Sequence, residues 1–129
     1  MIPDLQCSFA CEDVRVEAAG AHTVVGILNG IATPKLPVRL LKLCVWTRWC
    51  SGTGDYTQHT RLVLPDEATV LADISTKFTL PHVDQPTTNV NIFPGIEFRE
   101  PGVYHFEILL DDKLRLRYPL QVRQLQPKA

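Results

Sequence analysis

The chain has 129 residues, 45% of them hydrophobic, and its 13 basic and 14 acidic side chains leave a formal net charge of -1. A chain of this length and composition is expected to form one globular domain, residues 1–129, that needs neither a metal nor a disulfide to be stable. The balance of charge argues against nucleic acid and anionic membranes as partners.

The first predicted strand carries apolar side chains at alternate positions. Side chains of a strand point alternately to the two faces of a sheet. The set predicted to face the core is Leu5, Cys7, Phe9 and Cys11. Residues 13–20 are predicted to form a polar loop, with a short capped helix as the alternative. Residues 22–28 are β-branched on both faces, which predicts a strand covered on both faces, with a bulge or a close backbone approach at Gly26.

The longest predicted strand is Val38–Cys50, and its charged residues identify the outward row. The predicted inner row is Leu41, Leu43, Val45, Thr47 and Trp49. The predicted outer row is Leu40, Lys42, Cys44, Trp46, Arg48 and Cys50.

Three more strands are predicted over residues 56–64, 68–80 and 88–93. The second has the cleanest alternation, and the residues predicted to face inward are Ala68, Val70, Ala72, Ile74, Thr76 and Phe78. Pro94-Gly95 follows the third strand. Because proline cannot donate a hydrogen bond to a neighbouring strand, residues 96–99 are predicted to be a bulged continuation or an edge.

A hairpin is predicted from residues 101–110 and 114–122, joined by the turn at Asp111-Asp112. Its inward rows are Tyr104, Phe106, Ile108 and Leu110 on one strand and Leu114, Leu116, Tyr118, Leu120 and Val122 on the other. The segment from Glu100 to Tyr104 resembles the tyrosine corner of immunoglobulin-like sandwiches, although Phe106 stands where antibody domains carry a disulfide cysteine. About eight strands with frequent turns predict an all-β fold, an immunoglobulin-like antiparallel β-sandwich.

The four cysteines are predicted to be unbridged thiols. Cys7 and Cys11 on one strand are about 13 Å apart, and Cys44 and Cys50 about 20 Å, both beyond the reach of a disulfide. The first six residues lack the basic and apolar segments of a signal peptide, and no run of about 18 apolar residues could span a bilayer. A cytoplasmic protein is therefore expected.

Several segments together resemble a family of short bacterial proteins of unknown function. The residues that carry this resemblance are Cys11 to Gly20, Val24 to Ile27, Gly102 to Phe106 and Pro119 to Val122. The resemblance spans nearly the whole chain and implies a single immunoglobulin-like sandwich with no known activity.

No pattern predicts catalysis, a cofactor or a metal site. The histidines are scattered at positions 22, 59, 82 and 105, with no spacing that would pair two of them on one helical turn. The glycine-rich segment after Cys50 matches neither a phosphate loop nor a nucleophile elbow, and reads as a hairpin turn. The sequence therefore favours a non-enzymatic interaction module.

Two surfaces are candidate binding sites. A basic stripe for an acidic partner is predicted at Arg115, Arg117 and Arg123, although such a row is usually a solvated face. The outer row of the long strand is the other candidate, with Leu40, Cys44, Trp46 and Arg48 as its named residues. We expect this row to be covered by a second copy in a homodimer, or by the loop at 81–86 or a chain terminus. The alternative function is a small-ligand or carbohydrate-binding sandwich that uses Trp46 and adjacent loops.

Overall fold

The computed structural model describes residues 2–126, and within that range it contains nine strands and no helix. The strands are β1 Asp4–Val16, β2 His22–Ile27, β3 Gly30–Thr33, β4 Val38–Cys50, β5 Gly54–Val63, β6 Val70–Leu80, β7 Thr87–Phe98, β8 Gly102–Leu110 and β9 Lys113–Gln124. They form a four-stranded sheet in the order β2-β1-β4-β7 and a five-stranded sheet in the order β3-β9-β8-β5-β6. The all-β sandwich is confirmed.

Two details of the architecture differ from the prediction. The short strand β3 falls between the predicted strands at 22–28 and 38–50, where no strand was predicted, and it pairs with β9 in parallel, so the sandwich is not wholly antiparallel. β1 also continues to Val16, through the predicted loop, and forms an antiparallel hairpin with β2. β2 lies at the edge of its sheet, and all of its residues are half-buried or exposed, so the prediction of a strand covered on both faces is wrong.

The β8–β9 hairpin has the predicted two-residue turn. Leu110 pairs with Lys113, and Asp111 and Asp112 both have positive φ, 45° and 68°. Positive φ at both central residues is what a tight hairpin turn requires, because it matches the twist of the strands. Thr57 holds the turn, since its N–H donates to the Asp111 carboxylate and its carbonyl accepts from the Asp111 N–H, each at 2.9 Å.

The tyrosine corner is confirmed. The Tyr104 ring is fully buried, and its hydroxyl donates to the carbonyl oxygen of Glu100 at 2.8 Å. Gly102, between them, has φ +144°, and a Cβ at that position would lie 2.8 Å from the Pro65 side chain. Glycine is therefore required here both by its backbone conformation and by the close approach of Pro65.

A buried polar network crosses the core between the two sheets. The Gln58 carbonyl oxygen accepts from Trp49 Nε1 at 2.7 Å and from Asn89 Nδ2 at 2.8 Å. Its amide donates to Thr60 Oγ1 at 2.8 Å, and that hydroxyl donates to Asn91 Oδ1 at 2.6 Å. Gln58 and Thr60 lie on β5, while the other three residues lie on β4 and β7. A buried polar group is tolerated when its hydrogen bonds are made, so the network fixes how the sheets align.

The predicted core row of β1 is wrong beyond Leu5. The register with β4 shifts between Leu5 and Cys7, which is a β-bulge. The shift reverses the faces that follow, so Ala10 lies in the core and Phe9 stacks on Trp46 at the outer face.

The rows of β4 exchange faces near its start. Leu40 packs against the core, whereas Leu41 is 89% exposed, the reverse of the prediction. On β7, Pro94 and Gly95, with φ +61°, lie at the same level. The alternation of inward and outward side chains is interrupted there in both strands. Phe93 and Ile96, on either side of Pro94 and Gly95, both lie in the core. From Leu43 to Trp49 the predicted inner row is confirmed.

Three further inward assignments are wrong: Ala68 is exposed in the turn before β6, and the other two follow register shifts. Val70 is 45% exposed because the β5–β6 register shifts between Leu62 and Val63. Leu114 is also exposed, because the β8–β9 register shifts between Ile108 and Leu109. The rest of the predicted core rows of β8 and β9 is buried or packs against the core.

Candidate functional site

The outer face of the four-stranded sheet carries the candidate site. Antiparallel pairing places Trp46 between Phe9 on β1 and Val90 on β7. The Phe9 and Trp46 rings are stacked, with centroids 5.2 Å apart and planes 13° apart. One face of the indole is therefore occupied by the protein's own side chain.

The β1–β2 hairpin bends back over this face. His22, the first residue of β2, pairs with Val16, which lies seven positions along β1 from Phe9, the residue opposite Trp46. A straight strand would separate those levels by about 23 Å at 3.3 Å per residue. Instead, Trp46 Nε1 donates to His22 Nδ1 at 3.0 Å. The end of the hairpin must therefore turn over the sheet, and it provides the cover for Trp46 that was expected from a second copy, a loop or a terminus.

A cleft of about 520 Å³ lies between the hairpin end and the sheet. We call it the outer-face cleft, and its lining residues are Gly20, Ala21, His22, Trp46, Arg48, Pro86 and Thr88. The hairpin contributes the first three, β4 contributes Trp46 and Arg48, and β7 with the loop before it contributes the last two. No lining residue is acidic.

Arg48 supplies an uncompensated positive charge to this cleft. It is half-buried, and none of the described carboxylates forms an ion pair with it. Its Nε is one of two buried side-chain polar atoms in residues 2–126 that lack a hydrogen-bond partner. Cys7, directly opposite, is no counter-ion: burial raises the pKa of its thiol despite the opposing effect of the Arg48 charge, so the thiol stays neutral at pH 7. A buried donor without a hydrogen-bond partner is costly and uncommon, which marks Arg48 as a candidate binding residue.

Cys11 and Cys44 are the most buried residues of the outer face. They pair across β1 and β4 and are 0% and 1% exposed, yet they lie outside the main core cluster. All four cysteines are free, as predicted. Burial, together with the neighbouring Cys44 thiol, raises the pKa of Cys11 to about 11. These thiols are protonated at neutral pH and behave as small apolar side chains.

The predicted basic stripe is not assembled. Arg115 lies at the β8–β9 register shift, where its guanidinium sits 5.9 Å from the Trp49 ring centroid and donates to the Pro3 carbonyl at 3.2 Å. Arg117 is paired with Glu67 at 2.9 Å and lies 3.7 Å from Glu107. Arg123 alone of the three is exposed without an ion pair in the described chain.

Of the predicted interface residues, the structure brings together Cys44, Trp46 and Arg48 on one face. Leu40 does not belong to this group, because it packs against the core. The sequence prediction missed His22 and Phe9. The aromatic character of Phe9 was visible, but the bulge reversed its face; nothing in the sequence signals that His22 returns to Trp46.

A second cleft, of about 580 Å³, lies at the β7 side of the sandwich. Three of its four charged side chains pair with one another, since Glu97 bonds Arg39 at 3.3 Å and Arg99 at 2.8 Å, and the fourth, Glu100, is exposed to solvent. No group of three or more His, Cys, Asp or Glu side chains among residues 2–126 is placed to hold a metal. The outer-face cleft, with its unpaired cation, is therefore the stronger candidate.

The fold and this face define a small all-β sandwich with a cleft on the outer face of its four-stranded sheet. The chain belongs to a family described as a family of unknown function (DUF6941), whose model matches residues 6–123. No curated protein matches the chain. Among residues 2–126, no helix has the length and hydropathy needed to cross a membrane.

Proposed function

We propose that the protein is a non-enzymatic binding module that engages a partner protein at the outer-face cleft. The observation that carries this proposal is Arg48, a half-buried cation with no ion-pair partner in the described chain, beside the half-buried Trp46. Arginine and aromatic side chains are enriched among the residues that dominate protein interfaces. The cleft presents both of them on a rigid sheet.

Site-specific photo-crosslinking in the source cell tests this proposal. Benzoylphenylalanine at Ala21, an exposed residue at the edge of the cleft, should give a discrete adduct with a second protein. The same group at Lys77, exposed on the other sheet, is the matched control and should give none. Adding Arg48→Gln should reduce the Ala21 adduct. An adduct that is absent, or equal at the two positions, would contradict the proposal.

A second copy of the chain is the second candidate partner. Ile27, Cys11, Cys44 and Ile92 form a row across all four strands of the sheet. Both ends of the row are exposed, Ile27 at 58% and Ile92 at 47%. Exposed apolar residues of this kind favour association through a two-fold axis. Sedimentation at micromolar concentration should then show a dimer that Ile92→Asp converts to a monomer. A monomeric parent protein would exclude this candidate.

The carbohydrate alternative has less support. A sugar-binding tryptophan needs a free face of its ring, whereas Phe9 stacks on one face of Trp46 and His22 accepts the indole hydrogen bond. The cleft is still large enough for a small ligand, so a small ligand would bind at the same site as the protein partner.

We also propose that the sandwich is of the immunoglobulin-like kind and that the protein is bacterial and cytoplasmic. The order β1-β4-β7 in one sheet and β9-β8-β5-β6 in the other follows the A-B-E and G-F-C-C′ strands of immunoglobulin domains, with the tyrosine corner at the start of β8. The four free thiols favour a reducing compartment. The bacterial source rests on the sequence resemblance alone.

A further inference from the structure

Every polar side chain that lines the outer-face cleft can donate a hydrogen bond. The terminal nitrogens of Arg48 make no hydrogen bond within residues 2–126. Unlike its Nε, they are not buried, so they reach solvent. Arg48 also lines the cleft. A guanidinium has five N–H donors and no acceptor. None of the residues that line the cleft supplies a carboxylate to pair with it.

His22 adds a second donor because of its bond to Trp46. The indole N–H can only donate, so His22 Nδ1 must accept and carries no proton. The proton of the neutral ring is then on Nε2. The Thr88 hydroxyl, on the β7 side of the cleft, has no hydrogen-bond partner in the described chain. Three donors from three strands, with no acidic side chain among the lining residues, make a site for an anion.

We propose that the group bound in this cleft is a side-chain carboxylate of an acidic segment of the partner, an inference that rests on the proposed binding role. The single cation matches one negative charge, and a planar guanidinium pairs with a carboxylate through two parallel hydrogen bonds. A phosphate dianion would leave excess charge beside one arginine. Capture of a chain terminus uses a nest of backbone N–H groups, but the N–H of Gly20 is already bonded to Glu17 within the hairpin turn.

The two tryptophans provide a direct readout. Each gives one indole N–H signal in a nitrogen-proton correlation spectrum, and Trp46 lines the cleft while Trp49 is fully buried in the core. Acetyl-tetraglutamate amide should shift the Trp46 signal in a saturable way and leave the Trp49 signal in place. Acetyl-tetraglutamine amide should shift neither. The Trp49 signal also reports that each variant is folded.

Substitution of Arg48 should remove the response. Arg48→Gln should weaken the tetraglutamate amide at least about tenfold, since hydrogen bonds to charged groups are the stronger ones. Lys77→Gln removes an equal charge from an exposed site on the other sheet and should change the affinity little. Raising the salt concentration should weaken binding to the parent protein.

Three outcomes would overturn the inference. The first is that tetraglutamate amide at millimolar concentration does not shift the Trp46 signal. The second is that tetraglutamine amide shifts the signal as much as tetraglutamate amide does. The third is that acetyl-tetraglutamine with a free carboxyl group at its end shifts it as much as tetraglutamate amide does. The last would assign the site to a chain terminus. If the Ala21 crosslink forms while the acidic peptide fails, the carboxylate inference is wrong and the proposed function stands. If both fail, both are wrong.

Discussion

The two faces of the four-stranded sheet differ in whether their polar side chains are hydrogen-bonded. Tyr118, which packs against the inner face from β9, and Arg48 on the outer face show the difference. On the inner face, the Tyr118 hydroxyl lies 3.0 Å from Ser8 Oγ, which is itself 3.0 Å from Thr47 Oγ1. On the outer face, the Arg48 Nε has no partner. Fully bonded polar groups are typical of structural roles, and an unbonded donor is an exception that needs an explanation. The contrast separates the residues that hold the sandwich together from the candidate binding residue.

Removal of the Tyr104 hydroxyl should destabilise the fold. Tyr104→Phe deletes the donor to Glu100 and leaves a carbonyl without that bond, so we expect a loss of about 1 kcal/mol in the free energy of unfolding. Urea denaturation measures it. Tyr56→Phe is the control, because its hydroxyl bonds Thr53 at an exposed position, where water can take its place. An unchanged urea midpoint for Tyr104→Phe would mean that the corner bond contributes nothing.

Stability should fall in alkaline solution. Burial raises the pKa of Cys11 from 9.0 to about 11, and burial also raises the pKa of Tyr118 from 10.0 to about 12. The unfolded chain releases both protons at lower pH than the folded chain, so this stabilisation is complete below pH 9 and is lost progressively toward pH 12. The urea midpoint should decline over that range.

Two variants separate the contributions to this decline. Cys11→Ala should flatten its lower part, between pH 9 and 11, because it removes the thiol. Tyr118→Phe should flatten its upper part, between pH 10 and 12. A parent protein whose midpoint is constant to pH 12 would show that neither group titrates differently on folding.

At the scale of the strands, alternation located the elements but often misplaced their faces. The bounds of β4 were predicted without error, and β8 and β9 nearly so, because period-two rows persist over many residues. Faces were assigned wrongly where one residue is unpaired, after Leu5 in β1 and around Leu41 in β4. A single bulge reverses every later side chain, and a bulge depends on the partner strand, which the sequence of one strand does not reveal.

The same limit explains how much of the candidate site was predictable. Trp46 and Arg48 were found because they lie on the half of β4 where inward and outward side chains alternate without interruption. Phe9 was missed because the bulge in β1 reversed the face on which it lies. His22 was missed because its contact with Trp46 depends on the bend of the β1–β2 hairpin, part of which was predicted to be a loop.

The polar network between β5 and the opposite sheet should be among the most sensitive parts of the core. Gln58→Met keeps the length of the side chain but removes the acceptor of Trp49 Nε1 and Asn89 Nδ2. Two buried donors are then unpaired, at about 1–3 kcal/mol each, so we expect a loss on the order of 3 kcal/mol in urea denaturation. Gln121→Met, at an exposed position of β9, should stay within about 0.5 kcal/mol of the parent. Equal effects of the two substitutions would contradict a structural role for the network.

Considered as a whole, the molecule has two unlike outer faces. On the five-stranded sheet, Asp73, Arg61, Glu107 and Arg117 stand opposite one another on four successive strands, with alternating charge. Arg61 bonds Asp73 at 3.1 Å, and Arg117 lies 3.7 Å from Glu107. The charges of this row neutralise one another, as cross-strand pairs of opposite charge do. The other sheet carries the half-buried Arg48, which has no ion pair among the described residues, so the proposed binding site lies on that side of the sandwich.

The parallel pairing of β3 with β9 affects how fast the chain can fold. Gly30 and Gln121, which pair in that ladder, are 91 positions apart in the sequence. A long loop must therefore close before those hydrogen bonds form, and such closure delays folding more than local contacts do. While the protein is being synthesised, β3 has no strand to join until β9 has left the ribosome. Until then both edges of β3 are open to pairing with other chains, so the nascent protein is more exposed to aggregation than the finished sandwich, in which β9 covers one of those edges.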